Sequence, residues 1–534
     1  MGALAEQVGE LFVQSRAEFE AVALFMGSEE AYVMRESDVE RELWQRGREV
    51  LRKLLQEHLD ARGLGAVRSE KVEDVDGSEL ARKRVHERTV GTVVGEVEVS
   101  RVGYGAPGTE SLHPRDAELN LPVQRYSFEL QRRAVEEVAK VSFDSAAASL
   151  DRLYGTGSED DAAVIPKRQL EEVVKAAVVD FDAFYARHRA ATDLVDKGSG
   201  SVLALGLDGK GVVMVHRDLR PATREAAEKA KPKMDSRLSS GEKRNRKRMA
   251  EVATVYTVQP WVRTAEEVAN SLVSGSGLRE AEPVGQKTKR PRPENKRVWA
   301  SLTKPMAAVI QEALNEAEAR DPQHEKTWVA LSDGNQEQLA LVQERAATIG
   351  VTLVVILDLM HVLEYLWTAG RAFHPRSSKE LEDWVGERLL QILRGRSSYV
   401  AAGMRRSATL RRLKGKKRKK VDRCARYLLN HRSYLHYDEY LAAGLPITTG
   451  AVEGTCRHLV VDRMEITGAR WTLATAEAVL QARALRSSGD FDEYWTFHEE
   501  QEYQRNHAAR YANKLPPATV PPPWVTRARL RRVK

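Results

Sequence analysis

The chain has 534 residues, 42% of them hydrophobic and 30% charged, with a formal net charge of +7. That length accommodates two to four domains and that apolar fraction a sizeable core, which excludes a chain disordered throughout. Two cysteines, Cys424 and Cys456, make neither a disulfide framework nor a four-ligand zinc site, and they fit a reducing compartment. No apolar run reaches bilayer-spanning length. The start, Met-Gly-Ala-Leu-Ala-Glu, is acidic and amphipathic, unlike a signal peptide, and lacks the Ser or Thr of a myristoylation site. A cytoplasmic protein without membrane partners is expected. The basic excess fits a nucleic-acid partner and a well-solvated surface equally, so the clustering of charge matters more than its sum.

Residues 3–25 and 38–62 read as amphipathic helices. Leu4, Val8, Leu11 and Phe12 recur at helical spacing, as do Leu43, Val50, Leu51, Leu54 and Leu55; Gly63 and Gly65 end the second helix. This is an N-terminal helical region, 1–75. From 84 to 105 the period becomes two, around Arg88-Thr-Val and Gly95-Glu-Val-Glu-Val-Ser-Arg-Val, which predicts a small β-ribbon within 76–125. Residues 126–195 return to helix. Ser127 and Ser142 each open one, a turn runs from Gly155 to Asp161, and a third helix starts near Pro166 with Lys167 and Arg168 in its first turn. Helix, turn and basic helix suggest a DNA-reading helix-turn-helix; an ordinary helical hairpin is the equal alternative.

Residues 196–376 alternate strand and helix. Strands are expected at Val202–Asp208, Val212–His216, Ala253–Val258, Thr327–Asp333 and Val351–Asp358, with helices over 297–319 and 335–348. The order β-β-β-α-β-α-β is that of a ribonuclease-H-like α/β core. Residues 377–446 are helical and basic, an all-α insertion; 447–490 return to the core as helices bearing Glu453; 491–534 are a basic, Pro-rich tail, extended through Pro516, Pro517, Pro521, Pro522 and Pro523 to Arg527, Arg529, Arg531, Arg532 and Lys534.

Three of the expected strands end on acids, in Leu-Gly-Leu-Asp208-Gly-Lys, Leu-Ser-Asp333-Gly-Asn and Val-Ile-Leu-Asp358. Carboxylates at neighbouring strand ends converge on one sheet edge, and such a cluster is costly unless a cation neutralises it. Oxygen-only ligands suit Mg²⁺ or Mn²⁺, and two such ions activate a nucleophile and stabilise a leaving oxygen in attack on phosphate. An Asp-Gly after a strand is more often a turn, and Glu453 alone reads as a helix N-terminal carboxylate.

These stretches, with Leu-Asp-Leu-Met-His-Val-Leu-Glu-Tyr-Leu-Trp and Thr-Gly-Ala-Val-Glu-Gly-Thr-Cys-Arg-His-Leu-Val-Val-Asp-Arg-Met, together resemble the ISKra-type insertion-sequence transposases over about 200–490. The resemblance implies a DDE catalytic domain with Asp208, Asp333 and Glu453 as the triad and a helical insertion before the Glu. It also implies double-stranded DNA as partner, at terminal inverted repeats and target, and a dimer or larger assembly to pair two ends. Asp358-Leu-Met-His361 resembles an element of the Mutator-like transposases, which would set His361 in the active site; Asp358 as an N-cap is the alternative. Arg457, four residues after Glu453, shares its helix face if the helix is regular, and either contacts the scissile phosphate or pairs with Glu453. Trp471 is a base-stacking residue or a core residue.

Three basic clusters stand out: Lys243, Arg244, Arg246, Lys247 and Arg248; Lys287, Lys289, Arg290, Arg292, Lys296 and Arg297; and the densest, Arg405 to Arg426, with Arg411, Arg412, Lys414, Lys416, Lys417, Arg418, Lys419 and Lys420 opposed by Asp422. Solvated charge explains most such runs, but the third is dense enough to require a polyanion nearby. Two other functions keep the same acids or fold: a structure-selective ribonuclease-H-like nuclease, and a catalytically idle domesticated transposase that binds DNA.

Overall fold

The computed structural model describes residues 11–155, 163–190, 200–230, 239–273, 290–448, 450–466 and 468–522, with backbone alone at 240, 244 and 451–453. Leu4 and Val8, the turn residues 156–161, Lys287 and Lys289, and the terminal run from Pro523 through Arg527, Arg529, Arg531, Arg532 and Lys534 lie outside it. Among the described residues no helix is long and apolar enough to cross a membrane. The chain divides into two units, Met1–Asp182 with Phe491–Lys534, and Ala183–Asp490.

In the first unit, α1 (Val13–Met26) lies against α2 (Glu36–Ala61). Glu57 on α2 accepts hydrogen bonds from the backbone N–H groups of Gln14 at 2.6 Å and Ser15 at 3.1 Å. It thereby satisfies donors that a helix start leaves unpaired. The expected ribbon is the antiparallel pair β1 (Arg82–Thr92) and β2 (Gly95–Gly105). Val90, Val97 and Val99 bury one stretch of it beneath Leu55, Leu59, Leu119 and Leu121. Four helices follow: α3 (Pro114–Leu119), α4 (Phe128–Lys140), α5 (Phe143–Tyr154) and α6 (Lys167–Ala177). The Ser127 and Ser142 side chains accept from the N–H groups of Leu130 and Ser145, the caps the sequence predicts.

The C-terminal block is not a tail from its start. Phe491–Asn506 is a 16-residue helix that buries Phe491, Tyr494, Trp495, Phe497 and His498. Tyr494 Oη donates to the Ala177 carbonyl at 2.7 Å. The aromatic recurrence at Phe491, Tyr494 and Trp495 was the available sequence signal. Past the prolines the chain meets the N-terminal half, Val520 N–H donating to the Ala66 carbonyl at 2.7 Å.

The second unit is built on a five-stranded mixed sheet. Its strands are β3 (Val202–Val213), β4 (Lys247–Val258), β5 (Glu294–Ser301), β6 (Thr327–Ser332) and β7 (Leu353–Leu357), in the spatial order β5-β4-β3-β6-β7. The first three are antiparallel neighbours, and β6 and β7 run parallel to β3. Helix α7 (Met306–Arg320) connects β5 to β6, and α8 (Gln336–Thr348) connects β6 to β7.

Two expectations change here. Val202–Asp208 and Val212–His216 are not separate strands: Gly209, Lys210 and Gly211 stay paired with Glu251, Ala250 and Met249, so β3 is continuous to Val213. The expected helix over 297–319 begins as strand, because Val298, Trp299 and Ala300 pair with β4 and Pro305 marks the helix entry. The five-strand count survives with different members.

After β7 come α9 (Leu359–Gly370), α10 (Lys379–Leu393), α11 (Ser397–Leu410) and α12 (Gly415–Asn430). Their inward residues, including Leu366, Leu389, Val400 and Leu428, form one apolar core with Val329, Leu331, Ile356 and Leu357 of the sheet. A short helix α13 (Gly450–Thr455), a π-helix over Cys456–Val461 and α14 (Leu473–Ser488) close the unit.

A buried ionic knot fastens β5 to α7. Glu316 Oε1 accepts from Arg320 Nε at 2.9 Å and Nη2 at 2.7 Å, and from Arg297 Nη1 at 2.9 Å; Arg297 Nε also reaches Asp490 at 2.9 Å. Arg297 is therefore a structural cation, not part of a solvated basic run. Arg320→Ala strips Glu316, 1% exposed, of its main partner. The expected loss is about 3–5 kcal/mol in urea unfolding, since a charge is left buried and half-paired.

Candidate functional site

Strand register fixes the level of the acids. β3 pairs with β6 as far as Gly206↔Leu331, and β6 with β7 as far as Ser332↔Leu357. Carrying the first register on by two residues sets Asp208 level with Asp333. Carrying the second on by one sets Asp333 level with Asp358, and Asp358 N–H still donates to the Ser332 carbonyl at 2.8 Å. Adjacent strands lie ~4.8 Å apart, so three acid-bearing positions stand in a row on one sheet edge. Asp208 is not at a strand end, as expected, but mid-strand, where the parallel partner stops.

Each acid has local donors. Asp208 accepts from Gly209 N–H at 2.7 Å and from the Cys456 thiol at 3.0 Å. Asp333 accepts from Asn335 N–H at 2.9 Å, and Asn335 caps α8. Gly334 between them has φ +96°, and a Cβ there would press on Leu357 and His431, so the bend needs glycine. Asp358 is 4% exposed and accepts from Met360 N–H at 3.2 Å as the N-cap of α9. His361 follows in the first turn of α9, half-buried.

Glu453 is described by its backbone alone. Its helix α13 packs on β3 and β4, and Cys456, three residues on, carries the thiol bonded to Asp208. The chain then widens into the π-helix, a rare form that is frequent at functional sites. Arg457 lies in this π-helix and is exposed, its Nε 3.8 Å from Asp462. Trp471 is a core residue: it is 5% exposed, donates from Nε1 to the Met464 carbonyl at 3.1 Å, and has the Arg463 guanidinium 4.8 Å from its ring.

Glu251 and Glu337 escaped sequence reasoning. Glu251 sits on β4 opposite Gly209. Burial pushes its carboxyl above the ordinary range; Arg220 opposes this, and the charges of Glu337 and Asp208 add to it. An acid set within the apolar stretch Met249–Ala253 was the one available signal.

A basic helix adjoins this edge. α12 buries Val421, Cys424, Ala425 and Leu428 and exposes Lys416, Lys417, Lys419 and Lys420; Arg411 and Arg412 are exposed in the turn before it. Among the described residues of this group, Arg418 has an acidic partner, Asp422 at 3.0 Å, and the others have none. The far end of α12 reaches the acids. Tyr427 Oη donates to the Asp333 carbonyl at 2.9 Å, its ring stacks on Tyr365 at 4.0 Å, and His431 lies between the Tyr427 and Gly334 carbonyls. Burial, then Tyr365 and the charges of Asp333 and Asp358, push the Tyr427 phenol up.

The other basic residues are more dispersed. Lys243 is half-buried, and the Arg244 side chain lies outside the described atoms. Lys247 pairs with Glu465 at 2.5 Å, and Arg248 donates to the Leu302 carbonyl at 2.9 Å. Lys167 pairs with Asp144 at 2.7 Å; Arg168 is exposed.

Among the described residues, Asp180, His498 and Glu502 bring one ligand atom each within 4.8 Å of one another, a spacing that could hold a metal ion. A cation is already there. Arg505 donates to both Asp180 oxygens at 2.9 Å and to Glu502 at 2.6 Å, and His498 Nδ1 is 2.8 Å from Asp180. No protein-family model and no curated protein matches this chain.

Burial opposes ionisation of Asp180, but the bonds from Arg505 and His498 outweigh it and hold the carboxyl at about 2. A depressed acid contributes stability above its unfolded value, near 4, and loses it as pH falls towards 2. Asp180→Asn is expected to cost about 1–2 kcal/mol at pH 7, and its gap from wild type should close between pH 4 and 2 in acid unfolding curves.

Proposed function

We propose that the second unit is the catalytic core of a DDE transposase of the ISKra type, which cuts DNA at an element's ends and joins the freed 3′ ends to target DNA. The observation that carries this reading is the common level of Asp208 and Asp333 on adjacent parallel strands, with the Cys456 thiol holding the Glu453 helix against Asp208. The sheet supports a ribonuclease-H-like assignment: numbered within the sheet, its strands run 3-2-1-4-5, with three antiparallel and then two parallel to the first.

Asp208, Asp333 and Glu453 are an all-oxygen donor set that fits Mg²⁺ or Mn²⁺, while Cys456 serves as a hydrogen-bond donor to one of them. Two such ions, when bound, supply activation of water or a 3′-hydroxyl and stabilisation of the leaving oxygen. Asp358 fixes the start of α9 and so orients His361 at the same edge. The exposed lysines of α12 hold backbone phosphates, which positions DNA without reading its sequence. Lys167 and Arg168 belong to the end-recognition helix of the first unit. Two ends must be brought together, so the working form is a dimer or larger.

The test is excision and strand transfer with a mini-element in Mg²⁺. Asp208→Asn, Asp333→Asn and Glu453→Gln are each expected to slow cleavage about a thousandfold, ~4 kcal/mol of barrier. Unchanged cleavage in all three would sink the assignment, and cleavage without joining would point to a nuclease. Separately, replacing Lys416, Lys417, Lys419 and Lys420 with Gln should flatten the salt dependence of DNA affinity by roughly 0.9 per lost phosphate contact. An unaltered slope would remove the insertion from the DNA interface.

A further inference from the structure

The first unit carries a half-open cavity of about 250 Å³. It forms where the ribbon outruns its apolar cover. The ribbon face that carries Val90, Val97 and Val99 continues to His86, Arg88 and Arg101, with His86 opposite Arg101 and Arg88 opposite Val99. His113 and Asp116 enter from the start of α3, and His507 and Arg510 from the turn after the C-terminal helix.

The charges in this cavity do not balance. Three guanidiniums, of Arg88, Arg101 and Arg510, converge on one buried carboxylate, Asp116. The partner of Arg510, Glu110 at 2.8 Å, has a side chain 85% exposed. Arg101 is the most exacting group. Its Nε pairs with Asp116 Oδ1 at 2.9 Å. Nη1 of Arg101 is buried without a hydrogen-bond partner among the described residues. Buried donors left open are costly, and a guanidinium fork matches a tetrahedral oxyanion.

The neighbours are held in place around it. Arg88 Nη2 donates to the carbonyls of Pro122, Val123 and Gln124. His507 Nε2 faces the Leu121 carbonyl at 2.9 Å, and His86 Nδ1 lies 2.8 Å from His113 Nε2. Burial, then the charges of Arg101, His86, Arg510 and Arg88, push His113 down to about 4.

We propose that this cavity is a phosphate-binding site, with Arg101 as the bidentate ligand and Arg88 and Arg510 flanking it. The volume is several times the ~30 Å³ share of one water, room for a phosphate group and part of what it is attached to. The site shares no residue with the carboxylate edge, so it stands apart from the function proposed above.

The experiment uses the full chain and inorganic phosphate as the probe, with calorimetric titration and thermal unfolding at pH 7 and constant ionic strength. Expected are saturable heat and a rise in Tm that chloride does not reproduce. Arg101→Met, which keeps the stem and removes the fork, should weaken phosphate roughly tenfold. Should that variant fail to fold, the partly exposed Arg510→Gln gives the same reading more weakly, and phosphate should raise the titration midpoint of His113 in ring NMR. No saturable binding, or wild-type affinity in the folded variants, overturns the proposal. Displacement of phosphate by a short DNA duplex would identify a phosphodiester as the ligand; no displacement would identify a free phosphate or monoester. Both uphold the site.

Discussion

The parallel ladder from β3 through β6 to β7 is the constraint on which the second unit rests. Parallel neighbours need long crossovers and cover on both faces. Helices α7 and α8 supply the crossovers, and the insertion helices supply one face of the cover through a core continuous with Leu331 and Leu357. Because the register is shared, every residue one or two positions past the ladder is brought to the same level. Asp208 lies more than a hundred residues before Asp333 and Asp358 along the chain, yet backbone pairing sets the three in line.

Lining up acids raises an electrostatic problem that the surroundings answer in three ways. Backbone N–H groups of Gly209, Asn335 and Met360 donate to the three carboxylates, and the Cys456 thiol adds a fourth donor. Glu251, with no such donors described and with Asp208 and Glu337 nearby, is pushed towards its neutral form. On the insertion side the balance is reversed, with exposed lysines on α12 and few acids to meet them. The contrast along one helix, from lysines at its start to Tyr427 and His431 against the Asp333 loop at its end, links the basic surface physically to the carboxylate edge.

Much of this was legible in the sequence, and what was not has physical reasons. Apolar runs ending on Asp333 and Asp358 announced their strands, and Ser127 and Ser142 announced their helices. Gly209 and Gly211 read as a turn because glycine is permissive; only pairing with β4 keeps them extended. Val298-Trp299-Ala300 is short and apolar, equally at home in helix or strand, and the partner strand decided it. The C-terminal helix was hidden by the prolines that follow it. The π-helix after Thr455 has no sequence period of its own, so the reading of a regular helix there did not anticipate it. Arg297, Lys247 and Arg248 looked like solvated charge because a sequence does not reveal that Glu316, Glu465 or the Leu302 carbonyl lies within reach.

The segment that carries Glu453 is moored to β3 at two points, by Cys456 on Asp208 and by Trp471, whose backbone exchanges hydrogen bonds with Val213 and Val215. It fills the edge that β6 leaves bare. The thiol–carboxylate contact closes a loop of 248 residues. During synthesis β3 leaves the ribosome long before that segment does, so a nascent chain carries an open strand edge and an incomplete proposed triad for nearly half its translation. The candidate active centre is thus among the last parts of the second unit to be assembled, which leaves the growing polypeptide without its proposed cutting site until most of the protein has been made.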